Sequence, residues 1–555
     1  MVKPMNRLRT IITRHGPWLG CLIALIGSTM LDNAWHRGIA TEPSPQIIPY
    51  ADQQYLGVNL FNIQNEPDPT VVEQSFATAE QLGAHYARIQ MPWEDVEIHG
   101  RGDFEDRRNA SDIHSAWQKY DHIVAMADAH HIQLIVRIDR PPLWARTQSA
   151  ATSRFQNGLI ENGDSTGPPD DYQDYANFVA TMVTRYPQIR YIQLWNEPNL
   201  AYEWNWQFPD PEAFTDLLRR ASSAARQANP AIVILFPSLS PTDGKEPRIA
   251  PMSELDFLAR CYAAGAADFF EVMSAQAYGL GQPPDEHRYV RVRWSPLRPF
   301  AELDRPIDTR IDVSRIVMLR EVMEAAGDGN TAVWVSEFGY NSAAESVPPE
   351  RRFVWGPTVT EAQKGTYSAA QMARARQEWP WLGVMNLWML RWGGPAADPA
   401  NPTPYFAIVD RDFTPYAGFG ILQAASQTPA TIGAGTHAWG NPAIVPTAPG
   451  QWRISVHGTQ IGIRGGTGTI TVAIDDAPAS PVTLTGGDDI IAARLSDAPH
   501  TVTITNLPTA PPALLIWRQQ PWRWLFGVLP ITLTIGLGLA LWRVFVRPTT
   551  ITDNR

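Results

Sequence analysis

The chain is poor in the features that staple small secreted proteins or recognise nucleic acids. It has two cysteines in 555 residues, Cys21 in an apolar N-terminal run and Cys261 in a helix-like segment. An intramolecular disulfide framework is therefore excluded as a stabiliser, and the redox compartment stays open. No basic block is longer than a few residues and the net charge is −11, which argues against nucleic acid as a partner. At 44% apolar and 18% charged residues, the composition rules out a disordered chain. Metal-ligand patterns are missing as well. His130 and His131 are adjacent, His114 and His122 fall on a helix pattern, and no Cys or carboxylate completes a set at usual spacing. No metal or other cofactor is expected.

What the chain has in quantity is tryptophan and proline, 21 and 48. Many Trp in a loop-rich protein suit exposed aromatic platforms of the kind that stack on sugars, although any one of them serves equally well in a core. The length calls for two or more domains, one with a large core.

Both ends suggest a membrane. Lys3, Arg7, Arg9 and Arg14 precede an apolar run from Trp18 to Leu31, the pattern of a signal peptide or signal anchor over residues 1–31. Cleavage after Ala34 or Ala40 is compatible with it. Residues 32–54 are polar, with Pro43, Pro45 and Pro49, and read as a linker. Residues 524–542 carry no charge, are flanked by Trp522, Trp524 and Trp542, and are followed by Arg543 and Arg547, which predicts a transmembrane helix. With the N-terminal pattern, this puts the bulk outside the cytoplasm and the tail, 543–555, inside.

Between these ends, eight short apolar runs alternate with helix-period segments over residues 55–426. Trp117, Tyr120, Val124 and Ala127 share one helix face, as do Tyr172, Tyr175, Phe178, Val179, Met182 and Tyr186. Eightfold strand–helix alternation predicts an α/β fold, a (β/α)8 TIM barrel. A doubly wound sheet would want a Gly-rich loop after its first strand, and Gly57-Val-Asn-Leu-Phe-Asn-Ile lacks one. Residues 430–517 change to β runs with Gly- and Asp-rich turns and predict a small all-β sandwich domain.

Two of the eight runs end on a glutamate: Tyr191-Ile-Gln-Leu-Trp-Asn-Glu-Pro, the fourth, and Ala332-Val-Trp-Val-Ser-Glu-Phe-Gly, the seventh. A carboxylate at the end of a buried strand is costly unless it is paired or used. In a barrel these ends meet at one mouth, so Glu197 and Glu337 would face each other despite their separation in sequence. A carboxyl pair across a pocket supports glycosidic bond cleavage. A buried structural ion pair, with Arg88 or Arg137, is the plainer alternative.

The strand-end motifs Trp195-Asn-Glu-Pro198 and Ser336-Glu-Phe-Gly339, within the barrel pattern, resemble clan A retaining glycoside hydrolases, most of all the family 39 type and related cellulase-like barrels. The resemblance implies that Glu197 is the acid/base and Glu337 the nucleophile. It further implies that Asn196 binds the sugar 2-hydroxyl, that Arg88 and Tyr278 hold Glu337, and that Trp388 floors the subsite of the cleaved sugar. Gln276 departs from the pattern, standing where many clan members carry His. Trp93, Arg137, Asp139 and Trp144 also fall near the mouth. Tyr202, Trp204, Trp206 and Phe208 offer aromatic platforms, with Trp204 the expected substrate contact. His287, Arg288, Arg291, Arg293, Trp294 and Arg298 form a basic cluster suited to an acidic sugar or to a solvated face.

The expected protein is thus a membrane-anchored extracytoplasmic retaining glycosidase acting on a poly- or oligosaccharide. A transglycosylase in surface-polysaccharide processing and an inactive glycan-binding barrel are the alternatives.

Overall fold

In the computed structural model of the protein, the described residues are 15–28, 38–148, 167–284, 311–394, 398–519 and 523–545. The expected basic residues before position 15, the cluster at 287–298, Ala34 and Trp522 lie outside them.

Eight strands, β1 (Leu56–Asn59), β2 (Tyr86–Pro92), β3 (Gln133–Asp139), β4 (Tyr191–Leu194), β5 (Val233–Leu235), β6 (Val272–Gln276), β7 (Ala332–Phe338) and β8 (Leu382–Leu387), close into one barrel. Every neighbouring pair is parallel, including the closing pair β1 and β8. The expected (β/α)8 barrel is present. Its strands read as apolar runs without alternation because both faces are covered, the inner one by the barrel core and the outer one by helices. Accordingly, all five residues of β6 and all seven of β7 are buried.

Helices α2 (Pro69–Leu82), α3 (Gln118–Ala129), α4 (Tyr172–Arg185), α5 (Pro211–Ala228), α6 (Glu254–Ala263), α7 (Arg315–Ala325), α8 (Glu361–Glu378) and α9 (Ala417–Gln427) accompany the strands. Their starts are written locally. Asp68 and Asp210 cap α2 and α5, each followed by Pro at the first helical position, and Thr360 with Gln363 forms a capping box on α8. Helix α4 buries Tyr175, Phe178, Val179 and Met182, the face read from the sequence.

The second unit is a β-sandwich. One sheet runs β9 (Thr431–Ile432), β12 (Gln451–His457), β17 (Pro499–Thr505), β14 (Thr467–Ile474), β15 (Ser480–Thr485), with β11 (Ile444–Ala448) also on β12. The other runs β10 (Gly435–Ala438), β18 (Ala513–Trp517), β13 (Gln460–Arg464), β16 (Asp488–Ala493). Six of these ten strands, β12 to β17, match the β runs that the sequence shows at Trp452–Val456, Gln460–Ile463, Thr469–Ile474, Val482–Leu484, Ile490–Leu495 and His500–Ile504. The missed ones, β9, β10, β11 and β18, are short or lack a two-residue alternation. β18 is buried along four of its five residues, so it has no polar face to betray it.

Residues 38–54, expected to form a linker, are packed along the rest of the chain. Ile48 and Ala51 are buried. The Tyr50 carbonyl accepts a hydrogen bond from Trp334 Nε1 at 3.0 Å, and Thr436 Oγ1 donates to the Ser44 carbonyl at 2.6 Å. The strap therefore caps the end of the barrel where the strands begin. There Tyr86, Tyr191 and Trp334 fill the interior with ring centroids 5.0–5.7 Å apart. The sandwich meets the same end. Position 433 has no room for a side chain against the Gln377 backbone at the close of α8, and His457 Nδ1, on β12, lies 3.1 Å from Gln377 Oε1.

At the C-terminus, helix α10 (Arg523–Phe545) contains a stretch, Gly527–Phe545, that is long and apolar enough to cross a membrane. A shorter apolar helix, α1 (His15–Ser28), lies at the other end of the chain.

Candidate active site

Glu197 follows β4 and Glu337 is the sixth residue of β7, and both line one cavity of about 560 Å³ at the mouth. The fold brings them together because parallel barrel strands all finish at the same end. Two backbone features fix the tips. Glu197 itself has φ 40° and Trp195 φ 76°, left-handed conformations that L-residues avoid. Such strain persists where surrounding structure over-determines it, as around binding and catalytic sites. After β7, Gly339 passes so close to Trp388 that a Cβ would sit 2.6 Å from its carbonyl oxygen, so only glycine fits the turn.

The two carboxyl groups have different surroundings. Glu337 is 7% exposed and ion-paired to Arg88 Nη1 at 2.8 Å, while the Tyr278 hydroxyl donates to its other oxygen at 2.7 Å. Arg88 is itself immobilised: Nε donates to Gln193 at 3.0 Å, Nη1 to Asn59 at 2.8 Å and Nη2 to Asn196 at 3.3 Å. The neutral acceptors fix Arg88, and Arg88 and Tyr278 as donors fix the position of Glu337. Burial and the neighbouring carboxylate also push the Tyr278 phenol well above its usual range, so it serves as a donor.

Among the described residues, no cation is paired to Glu197. Gln276 Nε2 donates to Oε1 at 2.7 Å, and the Tyr202 hydroxyl and Asn196 Nδ2 donate to Oε2 at 3.2 and 3.3 Å. Burial, followed by the charge of Glu337, raises its pKa above the ordinary glutamate value; donors from Gln276, Ser240 and Tyr202 oppose this without cancelling it. The two groups thus differ in surroundings: Glu337 has a fixed counter-ion in Arg88, and Glu197 holds its proton to higher pH than an ordinary glutamate.

The other expected residues sort clearly. Asn196, Gln276, Tyr278 and Trp388 line the cavity with the two glutamates, and Arg137 reaches it while ion-paired to Asp139 at 2.8 Å. Arg88 acts from beneath, through Glu337. Trp204 is a correction: it is buried, packed against Trp195 at 5.9 Å and Phe214 at 6.3 Å, and does not line the cavity. The 3-10 turn Tyr202–Trp204 points its last residue into the core and its first, Tyr202, at Glu197. Trp93 and Trp144 pack on each other at 5.6 Å, also away from the cavity.

Residues that the sequence did not announce complete the walls. Asn59 and Gln193 sit on β1 and β4 and hold Arg88, and Glu203 accepts from Asn196 Nδ2 at 3.1 Å. Ser240, Leu280, Trp355 and Phe406 come from four separate loops or turns. The one available signal was Asn59, an uncharged polar residue ending the first barrel run. Among the described residues, no cluster of three or more His, Cys, Asp or Glu is arranged to hold a metal ion.

No family model matches this chain, and no curated protein matches it. Solved structures do. A family 39 glycoside hydrolase from the gut symbiont Bacteroides cellulosilyticus WH2 is 16% identical over 83% of this chain and 83% of its own, with a TM-score of 0.48. A family 39 enzyme from Xanthomonas axonopodis pv. citri is 14% identical over 84% and 96%, with a TM-score of 0.45. A family 30 endoxylanase from Clostridium papyrosolvens C71 is 13% identical over 84% and 98%, with a TM-score of 0.41.

Proposed function

We propose that this protein is a glycoside hydrolase that cleaves O-glycosidic bonds of a poly- or oligosaccharide by double displacement, held to a membrane with its catalytic barrel outside the cytoplasm. The observation that carries the reading is the asymmetry of the two glutamates in one cavity. Glu337, aimed by Arg88 and Tyr278, is built to attack an anomeric carbon as a carboxylate. Glu197, whose pKa burial and Glu337 raise, is built to deliver a proton to the departing oxygen.

In the first step the Glu337 carboxylate bonds to the anomeric carbon as the bond to the leaving oxygen breaks, and Glu197 gives that oxygen its proton. Forming the ester removes the charge on Glu337, which lowers the pKa of Glu197. The resulting Glu197 carboxylate then takes a proton from water as the water displaces Glu337. Asn196 is placed between the two carboxyls to bind the hydroxyl next to the reacting carbon. Trp388, which edges onto Phe61 with centroids 5.2 Å apart, offers a flat apolar floor. The anchor is the segment Gly527–Phe545, with Arg543 and Arg547 on the cytoplasmic side.

The test is a panel of aryl glycosides and polysaccharides hydrolysed by the full chain in detergent, with the anomer of the first product read by NMR. Retention of configuration is expected. An inverted product, or full rates from Glu197→Ala and Glu337→Gln on every substrate the wild type cleaves, would overturn the assignment.

A further inference from the structure

An apolar N-terminal run behind basic residues has two fates: removal as a signal peptide, or retention as an anchor. The structure bears on which one applies here. The two ends of the folded body leave it side by side. The Arg518 amide, one residue past β18, donates to the Thr41 carbonyl at 2.9 Å, and Arg518 Nε is paired to Asp497 at 2.7 Å. This happens at the base of the barrel, where the Ala40 amide donates to the Glu378 carbonyl at 3.1 Å.

Beyond that point the two apolar helices meet. A Cβ placed on Gly536 of α10 would lie 3.5 Å from Cys21 Sγ of α1, which is van der Waals contact. In a bilayer, where no hydrophobic force distinguishes helix from lipid, a glycine at the crossing is what lets two helices pack. The small–x–small triad that follows the N-terminal run, Gly38-Ile39-Ala40, belongs to the packed strap. Gly38 has φ 78° and any Cβ there would collide with the Val317 side chain. Charge agrees as well. Lys3, Arg7, Arg9 and Arg14 precede α1 in sequence, while Arg543 lies in the last turn of α10 and Arg547 follows it, so an antiparallel pairing of the two helices is the arrangement that satisfies the positive-inside bias for both ends.

We propose that α1 stays in the mature protein as a second membrane span and pairs with α10 across Cys21 and Gly536, so that the barrel stands on a two-helix hairpin. This rests on the membrane-anchored reading above. The N-terminal run is short for a span on its own, a mismatch that pairing and local thinning accommodate at modest cost. Because the hairpin leaves from the base, the cavity of Glu197 and Glu337 opens away from the anchoring bilayer. Its glycan then arrives from the aqueous side and not from the headgroups beneath.

The experiment is disulfide trapping in membranes that carry the full chain. In the Gly536→Cys variant, mild oxidation is expected to form an intramolecular disulfide with Cys21, leaving buried Cys261 as the one thiol that alkylates after denaturation. The same variant with Cys21→Ser should not cross-link, and the intact mass should include residues 1–31. A mature chain lacking α1, a disulfide that joins two copies, or no disulfide in a chain that keeps α1 would each overturn the inference. Carbonate extraction separates this from the underlying reading. Release of the chain into the supernatant defeats the anchor itself, whereas a chain that stays with the membrane after losing α1 defeats only the hairpin.

Discussion

The mouth and the base of the barrel are built on opposite terms. At the mouth, Trp195, Glu197 and Leu280 hold left-handed backbone conformations, and two carboxyl groups, an arginine and a phenol are crowded into partly dry surroundings. Each strained residue costs on the order of 1–3 kcal/mol, and buried charge costs more unless paired. At the base, the interior is closed by neutral rings, Tyr86, Tyr191 and Trp334, and by a strap whose backbone groups find partners in Trp334 and Thr436. One end stores strain and charge, and the other supplies packing that keeps the strands in register. The difference predicts that activity and stability are separable along the barrel axis.

That separation can be broken at either end. The largest effect is expected from Glu337→Gln, which keeps the side chain's shape and an acceptor for Arg88 but removes the attacking charge. Turnover of every glycoside should fall on the order of 10⁴-fold or more, as for loss of a nucleophile, while the melting temperature stays near wild type. A kcat close to wild type, measured on the best aryl substrate, would remove Glu337 from the mechanism. Next is Glu197→Ala, with a loss of about 10²–10⁴-fold on substrates whose leaving group needs a proton. The loss should shrink for good leaving groups, and added azide should restore turnover by attacking the trapped glycosyl-enzyme. An equal loss for good and poor leaving groups would argue against the acid role.

Third is Ile48→Ala in the strap. Truncating this buried side chain is expected to cost about 2–5 kcal/mol of stability, read as a lower midpoint in denaturant, with kcat unchanged. If kcat falls in step with stability, the two ends are not independent. The smallest effect is a shift in pH profile. Glu197 must be protonated to act first, so kcat/KM falls as pH rises through its raised pKa. Gln276 donates to the charged form at 2.7 Å and so lowers that pKa. In Gln276→Ala the basic limb should therefore move to higher pH, and a move to lower pH would contradict the assigned hydrogen bond.

Much of the site was legible before the fold was known, for a local reason. A carboxylate that ends an apolar strand run, as at Leu194 to Glu197 and Val335 to Glu337, is anomalous within a few residues of sequence. Arg88 stood out similarly inside Tyr86-Ala-Arg-Ile. Aromatic residues gave no such signal. Trp204 and Tyr202 lie two apart in one turn, and only the direction of that turn decides that Tyr202 faces Glu197 while Trp204 enters the core. The strap was misread for a related reason. Its prolines and polar residues suit a free linker, and its partners, Trp334 and Thr436, lie hundreds of residues away.

By itself, the sequence determined the alternation of strands and helices, the apolar ends, and the two glutamates, because hydrophobic period and misplaced charge are properties of short stretches. The acid/base role of Glu197 came from the sequence only as a resemblance, and only the tertiary structure showed what raises its pKa, namely burial and the neighbouring charge of Glu337. Glu337 lies 140 positions further along the chain, and its own partners Arg88 and Tyr278, like the Gln276 amide on Glu197, come from other strands or their ends; electrostatic surroundings are set by distance through space and not along the chain.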